Sequence, residues 1–128
     1  MILQLLYVGL GGFVGAILRY GVSGLILKYF KHAFPFGTLT VNVLGCLVLG
    51  FLMTIVEDEK HGFSPNARLF VAIGLLGSFT TFSTFGYETV KLLREGDWKV
   101  AVAYVATSLI VGLGAVYGGH GLARTAGY

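Results

Sequence analysis

Between Gly74 and Glu88 the chain reads Gly-Leu-Leu-Gly-Ser-Phe-Thr-Thr-Phe-Ser-Thr-Phe-Gly-Tyr-Glu, which sets five aliphatic hydroxyls and three phenylalanines inside an otherwise apolar stretch. In hydrocarbon a polar side chain is costly unless it pairs with another group or lines a cavity. Two roles fit the run. It can line a path for an ion or small polar solute, or it can form a packing seam, because Ser, Thr and Gly also let membrane helices approach closely. Phe79, Phe82 and Phe85, at i, i+3 and i+6, read by periodicity alone as core packing. Five further polar residues fall in similar surroundings: Arg19, Asn42, Glu88, Tyr104 and Ser108. Arg19 is the most expensive in lipid and needs a carboxylate, backbone carbonyls or water, unless it snorkels to the interface near Lys28. Tyr104 and Ser108 are spaced i, i+4 and share a helix face. For them and for Asn42, hydrogen bonding between helices competes with a place on a path.

The elements that must position these residues are membrane helices. The chain is 55% hydrophobic and 12% charged, with mean hydropathy +0.81, against about 25% charged residues in a soluble domain. Four apolar stretches of spanning length run from about Ile2 to Leu27, Gly37 to Val56, Leu69 to Tyr87 and Val100 to Ala123. They occupy nearly all of the 128 residues, so the chain reads as a single four-helix transmembrane domain, with no room for an extramembrane enzyme or nucleic-acid module. The first stretch lacks a basic leader and reads as a retained helix.

The connections are short. The first holds Lys28, Lys31, His32 and Pro35; the second, from Glu57 to Pro65, is the most polar; the third is little more than Glu95-Gly-Asp97. An up-down bundle with both termini on one face follows. Pro35 and Ser64-Pro65 sit where helices start. Lys28, Lys31, Lys91, Arg94 and Lys99 fall on the face opposite the termini, and Lys60, Arg68 and Arg124 on the same face as the termini. This five-to-three bias permits one fixed orientation, and it also permits insertion both ways and an antiparallel dimer.

Other classes find little support. The formal charge of +3 is spread over helix ends, where anchoring explains it, so no nucleic-acid partner is expected. The lone Cys46 cannot form an intramolecular disulfide, and His32, His61 and His120 lack metal-ligand spacing. Gly9-Leu-Gly-Gly-Phe-Val14 fails the dinucleotide pattern at its last position, and no Ser/His/Asp grouping appears, so enzyme function is not expected. Gly11 with Gly15, and Gly114 with Gly118, make small-xxx-small pairs suited to close helix contact. Packing that tight leaves no wide pore within one subunit.

Three blocks together resemble the signature blocks of the Fluc (CrcB) family of bacterial fluoride channels: Gly11-Gly-Phe-Val-Gly-Ala-Ile-Leu-Arg-Tyr20, Gly37-Thr-Leu-Thr-Val-Asn-Val-Leu-Gly45, and Gly74-Leu-Leu-Gly-Ser-Phe-Thr-Thr-Phe-Ser-Thr-Phe85. They occur in order, the resemblance covers all four helices, and the third block is the most specific. It implies an antiparallel, dual-topology homodimer in the bacterial inner membrane, with a third helix broken near midplane, two separate fluoride pores and a structural sodium ion at the dimer centre. Phe82 and Phe85 then become the aromatic lining of the pore, Asn42 the asparagine beside them, and Thr38 its neighbour one turn away. Arg19 is placed near the aqueous vestibule, and Thr80, Ser83 and Thr84 at the helix break. Glu88, Tyr104 and Ser108 form a polar track, and the carbonyls of Gly77 and Thr80 hold the sodium. The family's track on helix four can continue with further hydroxyls, where this chain has Gly112 and Gly114.

Physical chemistry supplies a mechanism for that expectation. Fluoride is small and strongly hydrated, so a path through low dielectric must replace its water with donors, which hydroxyls and the Asn42 amide provide. Phenyl rings turned edge-on favour an anion while their bulk limits the diameter. Carbonyls freed at a break between Gly77 and Thr80 suit a hard cation. The expected function is passive fluoride export giving fluoride resistance. Two alternatives stand beside it. A small four-helix drug exporter needs an acidic residue in its first helix, where this chain has Arg19 and no acid. A non-transporting scaffold would use the glycine seams alone.

Overall fold

Each of the four apolar stretches becomes helical, and the ends are set by local chemistry. The computed structural model describes every residue except Glu59 and His61, so the sequence reading of His61 lies outside the described residues. Helix α1 spans Ile2–Tyr29 and α2 spans Phe36–Glu57, entered directly after Pro35. The third span, Pro65–Arg94, is composite: α3 (Pro65–Arg68), a π-helical segment (Leu69–Leu76), α4 (Gly77–Phe79) and α5 (Phe82–Arg94). Helix α6 spans Trp98–Thr125. All four spans are long and apolar enough to cross a membrane.

The ends follow the punctuation in the sequence. Ser64 caps α3, its hydroxyl accepting from the Ala67 amide at 3.2 Å, with Pro65 in the first turn. After α5, Gly96 takes φ 84° while its own amide donates to Leu93 and that of Asp97 donates to Leu92, a Schellman turn that only glycine enters without strain. Lys28 stands over the Tyr29 ring at 5.8 Å and Lys99 over Trp98 at 5.7 Å, marking one membrane boundary at the end of α1 and the start of α6.

Two glycine seams hold the bundle. A side chain at Gly11 would collide with the Phe70 carbonyl oxygen, and one at Gly15 with the Leu75 carbonyl oxygen and the Ser78 hydroxyl, so α1 lies backbone to backbone on the π-helical segment. That pair acts as its spacing predicts. The pair expected at Gly114 and Gly118 does not form the second seam: Gly114 has nothing within 4 Å, and Gly118 meets only the end of Leu47 at 3.9 Å. The close approach of α6 to α2 is made one face around, by Gly119 against the Leu47 carbonyl and by Gly50 against that of Val116. A helix with glycines at 112, 114, 118, 119 and 121 offers several such faces, and only packing selects one. Leu92, Ala101 and Tyr104 form a buried cluster covered by Phe34, Leu39, Phe85 and Val100.

Candidate functional site

The break in the third span organises the site. It falls at Thr80 and Thr81, whose extended backbone (ψ 158° and 114°) interrupts the helix at the end of the predicted Gly77-to-Thr80 window. An interrupted helix in an apolar setting leaves backbone polar groups without partners, each of them expensive. Asn42 supplies the partners from α2: its Nδ2 donates to the Thr81 carbonyl at 3.0 Å, and the Thr81 amide donates to its Oδ1 at 2.7 Å. One primary amide thus pairs with both polar groups of one residue.

The hydroxyl run divides between the two roles its composition allowed. Ser78 reaches the Gly12 carbonyl on α1 at 2.8 Å and its own helix at Gly74 at 2.9 Å, which is seam work. Thr80 donates back to Leu76 at 3.0 Å. Thr81 caps α5, its hydroxyl accepting from the Thr84 amide at 3.2 Å and donating to the Thr84 hydroxyl at 3.0 Å, with Ser83 at 3.4 Å. Ser83 and Thr84 therefore sit in the first turn of α5 as part of its cap, and neither lines the cavities described below. Arg19 does not snorkel freely. Its Nε donates to the Ser78 carbonyl at 3.0 Å, placing a cation at the C-terminal, negative end of the short α4.

A second polar centre lies one turn along. Glu88 on α5 accepts from the Thr38 hydroxyl through Oε1 and from the Tyr104 hydroxyl through Oε2, both at 2.8 Å. Thr38 and Tyr104 are buried, at 5% and 0% exposure. Phe85 meets the Tyr104 ring at 5.2 Å in an edge-to-face arrangement and Phe82 at 5.7 Å.

The Phe85 and Tyr104 rings form a partition with a cavity on either side. One, of about 330 Å³, has Asn42, Cys46, Gly77, Thr80, Thr81, Phe82, Phe85 and Ser108 in its lining. The other, of about 280 Å³, is lined by Ser23, His32, Thr38, Glu88, Lys91 and Glu95. Phe85 faces the first cavity, Thr38 and Glu88 face the second, and Tyr104 touches both sets. Ser108 borders the first cavity, and its hydroxyl oxygen is buried without a hydrogen-bond partner. A buried, unpaired hydroxyl costs free energy in a resting protein. Phe82 is 83% exposed on the flank of the subunit.

The profile of the family described as CrcB-like protein, Camphor Resistance (CrcB), matches residues 6–120. This chain belongs to the CrcB family. It is 45% identical over 121 residues to a fluoride-specific ion channel FluC of Chloroflexus aurantiacus, covering 94% of this chain and 95% of that one. Proteins of the same name from Methylobacillus flagellatus and Opitutus terrae are 48% and 44% identical, covering 86% and 90% of this chain and 86% and 88% of theirs. With its four spanning helices, this CrcB chain is a multi-pass membrane protein.

The structure of the CrcB chain brings Asn42, Thr80, Phe82, Phe85, Ser108 and Gly77 to one cavity, and Thr38 and Glu88 to the other. Sequence reasoning missed Thr81, whose backbone is the partner of Asn42; its signal was the capping pattern of Thr81 with Thr84 directly after the break. It also missed Ser23, His32 and Lys91 in the second cavity, which come from three separate elements. Among the described residues no group of three or more His, Cys, Asp and Glu side chains could hold a metal ion.

Proposed function

We propose that this CrcB chain is a fluoride-selective channel of a bacterial cytoplasmic membrane, through which cytoplasmic fluoride leaves passively. The observation that carries this reading is the file of donors across the partition. The unpartnered Ser108 hydroxyl and the second N–H of the Asn42 amide lie on one side; on the other, the Thr38 and Tyr104 hydroxyls hold Glu88 and would turn from it to meet the ion, with phenyl rings between the two sides. A strongly hydrated anion needs such donors at close intervals, and several moderate sites in series let it leave as well as enter. Fluoride that enters a cell as neutral HF dissociates inside, and the membrane potential drives the anion out.

The reading includes a second copy in the opposite orientation and a sodium ion between the two. Support comes from the open flank: Phe82 is 83% exposed, and a side chain at Gly77 would meet only the Ala72 carbonyl oxygen, at 4.0 Å. A partner laid there covers an aromatic ring that the subunit itself leaves bare. The carbonyls of Gly77 and Thr80 fit a hard cation, because glycine leaves its backbone approachable and the ψ of 158° at Thr80 turns its carbonyl away from the helix axis. Sodium bound there holds the two broken helices together. Gly77→Val, or replacement of sodium by a large organic cation, then abolishes fluoride efflux; efflux that survives both changes rejects the sodium site.

The deciding experiment is fluoride efflux from liposomes holding the purified protein, read with a fluoride electrode beside chloride-loaded vesicles. Fast efflux of fluoride and none of chloride is expected, with a Phe82→Ile variant slower by about tenfold, the effect of about 1.4 kcal/mol in a barrier. No fluoride efflux from a folded protein rejects the channel reading and returns the hydroxyl run to a scaffold's packing seam. The exporter alternative gains nothing from the site, since α1 carries no acid and Arg19 is bound to the Ser78 carbonyl.

A further inference from the structure

A continuous helix pairs each carbonyl with the amide four residues on, and at the break in the third span that pairing can be followed group by group. The Thr80 amide still donates to the Leu76 carbonyl at 3.1 Å. The next amide, that of Thr81, would serve Gly77 but donates to Asn42 at 2.7 Å. Two side chains from other helices then take carbonyls of the broken segment: Arg19 of α1 donates to Ser78 and Asn42 of α2 to Thr81, both at 3.0 Å. Among the described residues, no side chain and no loop or cap amide donates to the carbonyls of Gly77 or Thr80. Arg19 itself is half-buried within a membrane span, and among the described residues no carboxylate pairs with it. An ionised group there is expensive, and its partner is the end of a broken helix.

We propose that Arg19 is a positioning residue for the sodium ion: it draws the Ser78 carbonyl to α1, which denies that oxygen to sodium and leaves the carbonyls of Gly77 and Thr80 to hold it. This rests on the sodium site of the reading above. The guanidinium is charged at every working pH and donates in a fixed plane. An oxygen that already carries one cation repels a second. Ser78 is held from two sides, since its hydroxyl donates to the Gly12 carbonyl at 2.8 Å while its own carbonyl accepts from Arg19. Gly12 and Arg19 lie two turns apart on one face of α1, with Gly15 against the Ser78 hydroxyl between them. Ser78 stands between Gly77 and Thr80 in the chain, so pinning it to α1 also fixes the spacing of their carbonyls. The side at Gly77 stays open, where a side chain would meet only the Ala72 carbonyl oxygen at 4.0 Å.

The test is a titration of the full-length protein with sodium, against N-methylglucamine at constant ionic strength. It is read as the rise in unfolding temperature in detergent and as fluoride efflux from liposomes. Sodium that binds only the folded protein raises its unfolding temperature. In Arg19→Met both curves are expected to move to about tenfold higher sodium, the lower end for a hydrogen bond to a charged group. Arg19→Gln keeps a neutral donor at the position of Nε. Its curves should fall between those of the parent and Arg19→Met, and it keeps the test decisive if the methionine variant does not fold. A lower unfolding temperature with an unchanged response to sodium makes Arg19 a structural tie only and overturns the inference. Slower efflux at every sodium concentration, again with an unchanged response, means that Arg19 acts on the anion and overturns it as well. Parent protein that gains no stability from sodium rejects the sodium site, and the inference with it. Parent protein that responds to sodium but passes no fluoride rejects the channel reading, and the unfolding curves alone then decide on Arg19.

Discussion

Fluoride efflux through an Asn42→Leu variant is expected to fall by at least about a hundredfold, because two backbone groups at the break lose their partner and each buried orphan costs about 1–3 kcal/mol. Leucine fills the space of the amide but pairs with neither the amide nor the carbonyl of Thr81. The chain relieves the loss by rewinding or shifting the break, and Phe82, the first residue of α5, moves with it. Thermal unfolding of the purified protein should show lower stability beside the lost efflux. Asn42→Asp separates the two halves of the clasp. A carboxylate still accepts from the Thr81 amide but sets an acceptor against the Thr81 carbonyl and a negative charge beside the anion's path. It is expected to retain more stability than the leucine variant while passing as little fluoride. An Asn42→Leu protein that conducts like the parent would remove Asn42 from both roles.

The second large effect concerns Glu88. In a Thr38→Val, Tyr104→Phe double variant the carboxylate loses both of its hydroxyl donors, each a hydrogen bond to a charged group worth about 1.5–3 kcal/mol. Glu88 is half-buried and borders the second cavity, so water replaces part of this. The expected result is a loss of about tenfold in efflux for each single change, at the lower end of that range. The double variant should depart from the product of the singles, because both hydroxyls act on one carboxylate. Adding Glu88→Gln to the double variant should restore part of the rate, since a neutral amide tolerates the loss of those donors better than a charge does. Single effects that simply multiply, with no rescue by Gln, would mean that the two hydroxyls act on the ion independently of Glu88.

The parts of the site depend on one another in a way these variants expose. Asn42 fixes the break, the break sets where α5 starts, and α5 carries Phe82, Phe85 and Glu88 at successive turns. Arg19 and Ser78 tie the other side of the break to α1, whose glycines allow the approach. The donor file is thus a consequence of how one helix is interrupted.

Much of this was legible in the residues themselves. Four spans follow from apolar runs long enough to cross a bilayer, and the turns follow from Pro35, Ser64-Pro65 and Gly96, because length, hydropathy and backbone preference are local properties. That Gly74 to Glu88 is special was also plain, since hydroxyls in a membrane span need a reason. The division of labour within the run was not. Ser78, Thr80 and Thr81 are chemically alike, and their tasks differ through what α1 and α2 bring to them: the Gly12 carbonyl for one, Asn42 for another. Arg19 could have turned to the interface as easily as to the Ser78 carbonyl. Glycine pairs announce close contact but not its face, which is why Gly50 and Gly119 form the seam and Gly114 does not. Local composition is enough to make this a four-span membrane protein with a polar run in its third span. Which polar groups close the break in that span is set by how the helices pack, because a hydrogen bond between distant residues depends on contacts that no local pattern encodes.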